Sequence, residues 1–242
     1  MGSPGTGSAP AGEGSPHVLV VPGLGLLRYL DPLMRALGRR GVRATLLDVP
    51  GHGRRSRRVT AATVPSIAAA TAEAVMARPA GERLVLLGHS TGAQAALQAA
   101  LLVQDHRRLD TVVLAGPTVA PTQRRLDLLA LASAAAYRKD PPRELVVLPE
   151  VLRARLRLLT LLRSAISDRP ERAVPWLSAP LVLTAGRSDA FAPQWWLEVL
   201  ACGATRSPAV TVERLGGSHN NPYTHGYELA GLIGRTLRPA AT

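Results

Sequence analysis

A chain of 242 residues, 46% of them hydrophobic, is long enough to bury one sizeable core, and it holds no apolar run of the ~18–20 residues that a membrane-spanning helix needs. Its net charge is +12, but all except one of its 29 basic side chains are arginine, scattered among alanines, and aromatic residues make up only 3%. The aromatic stacking platform of many RNA and single-strand binders is therefore missing, and neither nucleic acid nor a membrane is an expected partner.

Residues 1–16 are almost entirely Gly, Ser, Pro and Ala, with Glu13 their single charge, and read as a disordered tail. No basic segment leading into an apolar stretch marks a secretory signal, so the cytoplasm is the expected compartment. The lone Cys202 cannot close an internal disulfide, and its apolar neighbours Leu200 and Ala201 place it in the core or on a helix face.

Short aliphatic runs then alternate with helical patterns. The runs are His17–Val21, Ala44–Leu47, Leu84–Leu87, Thr111–Leu114, Leu181–Thr184 and Val210–Val212. With little polar alternation they read as strands buried on both faces of a parallel sheet. Leu30–Leu37, Ser66–Met76, Ala93–Leu102, Trp195–Leu200 and Tyr227–Leu237 carry helical spacing between them. This alternation predicts a doubly wound α/β fold with a mostly parallel central sheet and flanking helices. Residues 119–175 break the rhythm, being too long for one crossover. Their patterns Leu126–Ala136 and Leu145–Ile166 predict a helical cap inserted into a core formed by residues 17–118 and 176–242. Within the second connection, Arg54, Arg55, Arg57 and Arg58 form the densest basic run and read as a solvated loop.

The most informative segment is Gly88-His89-Ser90-Thr91-Gly92. It follows the strand Leu84–Leu87 directly and opens the helical pattern Ala93–Leu102. A serine on so sharp a strand-to-helix turn is held in a strained conformation, and the neighbouring chain demands tiny residues two before and two after it. The turn lifts the Ser90 hydroxyl above the sheet at a helix N-terminus, whose dipole favours developing negative charge.

With this elbow the chain resembles the α/β-hydrolase fold family from about residue 17 to residue 238. Three further segments carry the resemblance: Pro22-Gly23-Leu24-Gly25, Asp48-Val49-Pro50-Gly51-His52-Gly53, and Leu181 to Asp189. The resemblance implies a serine nucleophile, then an acid, then a histidine base on a loop after the last strand. Of six histidines, His17 starts a strand, His89 is expected to point away from Ser90, and His106 lies in a polar loop. His52 could approach the site, but only His219 and His225 come late enough. His219, in Gly216-Gly217-Ser218-His219, matches the base loop, whereas His225 suits a surface or capping role. Asp189 matches the acid. The other position some members use reads Ala115-Gly116-Pro117-Thr118-Val119, without a carboxylate, and Asp127 falls inside the insertion.

The resemblance further places the oxyanion hole at the backbone N–H groups of Thr91 and Leu24, with Asp48 and the loop around His52 as bracing. No metal-ligand spacing and no dinucleotide fingerprint occur, so no cofactor is expected. The expected activity is hydrolysis of a small or medium hydrophobic ester or lactone through an acyl-enzyme. A thioesterase is one alternative, and a lyase, cyclase, isomerase or cofactor-free haloperoxidase on the same fold is another. Leu126, Leu128, Leu129, Leu131, Tyr137, Phe191, Trp195 and Trp196 are the candidates for an apolar substrate pocket.

Overall fold

In a computed structural model, which describes residues 16–50, 61–107, 109–139 and 148–237, the six aliphatic runs all form strands of one parallel sheet. The elements in chain order are β1 (His17–Val21), α1 (Asp31–Arg39), β2 (Arg43–Leu46), α2 (Val64–Met76), β3 (Leu84–His89), α3 (Thr91–Val103) and β4 (Thr111–Ala115). They continue with α4 (Leu126–Lys139), α5 (Leu148–Ser167), α6 (Pro170–Ala173), β5 (Leu181–Gly186), α7 (Gln194–Gly203), β6 (Val210–Leu215), α8 (Asn221–Thr224) and α9 (Gly226–Thr236). Residues 1–15, 51–60 and 145–147 lie outside the described residues, and with them the expected tail, His52, the Arg54–Arg58 run and the expected start of α5.

Strand order across the sheet is β2-β1-β3-β4-β5-β6. The chain runs outward from β1 to β2 and returns to lay β3 on the other side of β1. That reversal opens a crevice at the carboxyl ends of β1 and β3, where doubly wound sheets place their ligands.

Side chains of successive strand residues point to opposite faces, so each strand feeds two cores. Val18, Val20, Val85 and Leu87 pack with Leu33 and Leu37 of α1 and Leu229 and Ile233 of α9. Leu19, Val21, Leu84 and Leu86 pack on the other face with Ile67 of α2, Leu97 of α3 and Trp196 of α7. Each such aliphatic side chain contributes about 1.5–3 kcal/mol on full burial.

The helices follow from equally local causes. Thr63 caps α2 reciprocally: its side chain accepts from the Ser66 N–H at 3.2 Å, and its own N–H donates to the Ser66 hydroxyl at 3.0 Å. Val64, Ile67, Ala68, Thr71 and Val75 then form the buried stripe of that helix. In α3, alanines 93, 95, 96, 99 and 100 are all buried. Their small side chains let this helix lie close against the sheet.

Burial on both faces does not hold for every strand. β2 and β6 are the sheet edges, and their residues alternate between half-buried and exposed or are mostly accessible. Arg43 and Thr45 in β2 already carry that polar alternation in the sequence. Cys202 lies on the exposed face of α7. Among the described residues no helix is long and apolar enough to cross a membrane.

Candidate active site

β3 ends at His89 and α3 begins at Thr91, so Ser90 alone makes the turn. Its backbone sits at φ 57° and ψ −126°, a region that costs a non-glycine residue roughly 1–3 kcal/mol. The surroundings hold it there. The Ser90 N–H donates to the Ala115 carbonyl at 2.9 Å, and the chain after β1 crosses directly over the turn. A Cβ at Gly92 would stand 2.7 Å from the Pro22 carbonyl oxygen, and one at Gly23 would stand 2.8 Å from the Ser90 Cβ. Only glycine permits either approach.

The carboxyl ends of β5 and β6 deliver the partners. The Ser90 hydroxyl lies 2.9 Å from His219 Nε2, and His219 Nδ1 lies 3.0 Å from Asp189 Oδ2 and 3.2 Å from Oδ1. A carboxylate only accepts, so Nδ1 carries the ring proton and Nε2 is the bare acceptor of the serine hydroxyl. Asp189 Oδ1 also accepts from the N–H groups of Phe191 at 2.8 Å and Ala192 at 3.1 Å. Burial by itself would raise the Asp189 pKa. The adjacent His219 charge and hydrogen bond, with the two backbone N–H groups, outweigh that and hold the carboxyl below its ordinary range. Asp189 therefore stays ionised at neutral pH.

Two residues that the sequence reading left out of the site join it here. His89 packs against the histidine base candidate: its ring centroid lies 5.1 Å from that of His219, and it is buried. Its Nε2 sits 2.8 Å from the His219 carbonyl oxygen, which can only accept, so that nitrogen bears the proton. Nδ1 then accepts from the Tyr29 hydroxyl at 2.7 Å, and that hydroxyl in turn accepts from the Gly23 N–H at 2.8 Å. One chain of hydrogen bonds thus ties the turn after β1 to the backbone of the His219 loop. Burial pushes the His89 pKa down to about 3, the neighbouring His219 adding to the effect, so the ring is neutral in the folded protein. Burial likewise pushes the Tyr29 phenol above its usual range. The Gly-His-Ser string held a signal for His89, but Tyr29, 60 residues away, had none.

The other candidates separate cleanly. The Thr91 N–H stands at the first turn of α3, where no intrahelical acceptor exists. The Leu24 N–H points elsewhere, donating to Thr91 Oγ1 at 2.8 Å from a backbone with φ 51°. His225 closes the start of α9 and pairs with the Thr224 hydroxyl at 2.8 Å, and Asp127 pairs with Arg125 on the exposed side of α4. Asp48 is exposed.

Beside Ser90 and His219 opens a cavity of about 470 Å³, with Leu24, Leu126, Leu129, Leu162, Ala165 and Phe191 in its wall. Of the proposed pocket residues, Leu126, Leu129 and Phe191 line it. Leu128, Leu131 and Trp195 are exposed elsewhere, and Trp196 is a core residue whose indole N–H donates to the Pro117 carbonyl at 3.0 Å. The Tyr137 side chain lies outside the description.

Residues 18–232 match the model of the Alpha/beta hydrolase family. The chain belongs to that family. No curated protein sequence matches this α/β-hydrolase, but solved structures do. A thioesterase from the prodiginine biosynthetic pathway of Streptomyces coelicolor is 19% identical, covers 98% of this chain and 90% of its own, and superposes with a TM-score of 0.69. A thermophilic esterase from Thermogutta terrifontis is 21% identical, with 92% and 89% covered and a TM-score of 0.66. An enol-lactonase from Burkholderia xenovorans is 18% identical, with 92% and 91% covered and a TM-score of 0.65. At such identities the likeness is one of fold, shared by proteins that differ in substrate.

Proposed function

We propose that this α/β-hydrolase is a serine hydrolase that cleaves a small or medium apolar carboxylic ester or lactone through an acyl-enzyme on Ser90. The observation that carries the reading is the unbroken chain from the Ser90 hydroxyl through His219 to Asp189, opening onto an apolar cavity. His219 Nε2 takes the hydroxyl proton as Ser90 Oγ attacks the substrate carbonyl carbon, and the carbonyl oxygen becomes an oxyanion. Asp189 holds the imidazole in the tautomer that can accept this proton and stabilises the imidazolium that results. The Thr91 N–H, at a helix N-terminus whose dipole favours negative charge, donates to the oxyanion. The imidazolium then protonates the leaving oxygen, the ester bond breaks, and the acyl group stays on Ser90. Water, deprotonated by the same histidine, attacks the acyl-enzyme and releases the acid and free Ser90.

The leaving group can equally be a thiolate. The likeness to the Streptomyces coelicolor thioesterase along 98% of this chain keeps a thioester as the second reading. The cavity wall of leucine and alanine suits the acyl part of either substrate, at a volume ordinary for small-molecule sites.

The test is a panel of aryl esters of rising acyl length, with lactones and one thioester, run on wild type and Ser90→Ala. Turnover is expected to fall by about 10⁴-fold or more in the variant, with an unchanged melting temperature. A Ser90→Ala protein that hydrolyses the panel as fast as wild type, or a wild type that takes no phosphonate label on Ser90, would overturn the serine mechanism.

A further inference from the structure

The oxyanion hole of this chain departs from two backbone donors. The Leu24 N–H, which stands in the turn after β1, is already committed: it donates to Thr91 Oγ1 at 2.8 Å. The commitment is built into the backbone, since Leu24 holds a left-handed conformation with φ 51° at that point. Thr91 is 3% exposed and lines the cavity together with Leu24 and Ser90. Its hydroxyl can accept from Leu24 and still donate its own proton. Among the described residues no acceptor is paired with that proton, which leaves a buried donor to be satisfied from the cavity side.

We propose that the second oxyanion donor is the Thr91 hydroxyl, with the Leu24 N–H acting through it. The proposal rests on the serine-hydrolase reading and names a further catalytic residue for it. The oxyanion formed at Ser90 then meets two donors from a single residue, the N–H and the Oγ1–H of Thr91. Leu24 orients the hydroxyl by occupying one of its lone pairs, and a hydroxyl that accepts such a bond is polarised into a better donor. Rotating Thr91 away to expose the Leu24 N–H would break a buried hydrogen bond at the moment the charge forms. Donation through the hydroxyl needs no such rearrangement, which is the condition under which an oxyanion hole works best.

The test uses Thr91→Val, which keeps the shape and removes the hydroxyl, and Thr91→Ser, which keeps the hydroxyl. Thr91→Ala replaces the valine variant if that one melts well below wild type. On the best aryl ester, Thr91→Val is expected to lose about 10²-fold in kcat with KM nearly unchanged. Its affinity for a trifluoromethyl ketone of the same acyl chain, whose adduct with serine carries the oxyanion, should fall in parallel. Affinity for the primary alcohol of the same chain, which presents no charged oxygen, should stay as in wild type, which a merely structural role of Thr91 would not predict. Thr91→Ser should recover most of the loss. A Thr91→Val enzyme as fast as wild type, or faster, would overturn the proposal and make the hydroxyl only a cover over the Leu24 N–H. A wild type that takes no phosphonate label at Ser90 overturns the serine reading as well, whereas a labelled wild type with an unaffected Thr91→Val overturns this proposal alone.

Discussion

The sheet side and the helical side of the cavity are built differently. On the sheet side, Ser90, His219, Asp189, His89, Tyr29 and Gly23 are joined by hydrogen bonds of 2.7–3.2 Å, and each emerges from or just after a strand end or a short turn anchored to one. On the opposite side, α4 and α5 present Leu126, Leu129, Ala130, Leu162 and Ala165, which offer shape but no direction. Directional contacts lose their value over a fraction of an ångström, whereas apolar contacts tolerate volume-conserving exchange. On the proposed reading, chemistry falls to the hydrogen-bonded layer and choice of acyl group to the helical one.

The sharpest way to break that contrast is at Asp189. Asp189→Asn keeps the shape but cannot hold the same His219 tautomer, and a loss of about 10⁴-fold in kcat is expected from initial rates. Rates near wild type would show that another group orients His219. A smaller, selective effect is expected on the helical side. Ala130→Leu adds bulk at the accessible edge of the cavity and should lower kcat/KM for long acyl esters by about tenfold while sparing acetyl esters. An equal fall for both lengths would mean that α4 does not border the acyl chain.

The smallest effect concerns stability. His89 has a pKa of about 3 when folded and about 6.5 when unfolded. The unfolded chain therefore binds the extra proton between those values, so the contribution is complete above pH 6.5 and is lost as pH falls toward 3. Between pH 6.5 and 4.5 this amounts to roughly 2–3 kcal/mol. Urea unfolding of His89→Gln should show a pH dependence shallower by that amount, and equal slopes would mean that folded His89 does take up the proton.

What could be read from the sequence was whatever is written locally. The strands declared themselves as aliphatic runs, and the elbow as a glycine-flanked serine between a strand and a helix. Ser90, Asp189 and His219 each follow a recognisable strand, so their positions were legible before their contacts were. The Tyr29–His89–His219 chain was not, because it joins residues 60 and 130 positions apart whose pairing depends on the closed fold. The destination of the Leu24 N–H was hidden for a related reason. Thr91 is 67 residues away, and one backbone angle decides whether that N–H faces a substrate or a hydroxyl. Edge position was also a property of the assembled sheet, although Arg43 and Thr45 hinted at it for β2.

The backbone of Ser90 has one further consequence. Glycine alone would sit at φ 57° and ψ −126° without steric cost, so the fold's own preference at this position is for a residue with no hydroxyl. On the serine-hydrolase reading, selection for thermal endurance alone would erase the proposed nucleophile. Its presence marks a position where reactivity has been kept at the expense of resilience.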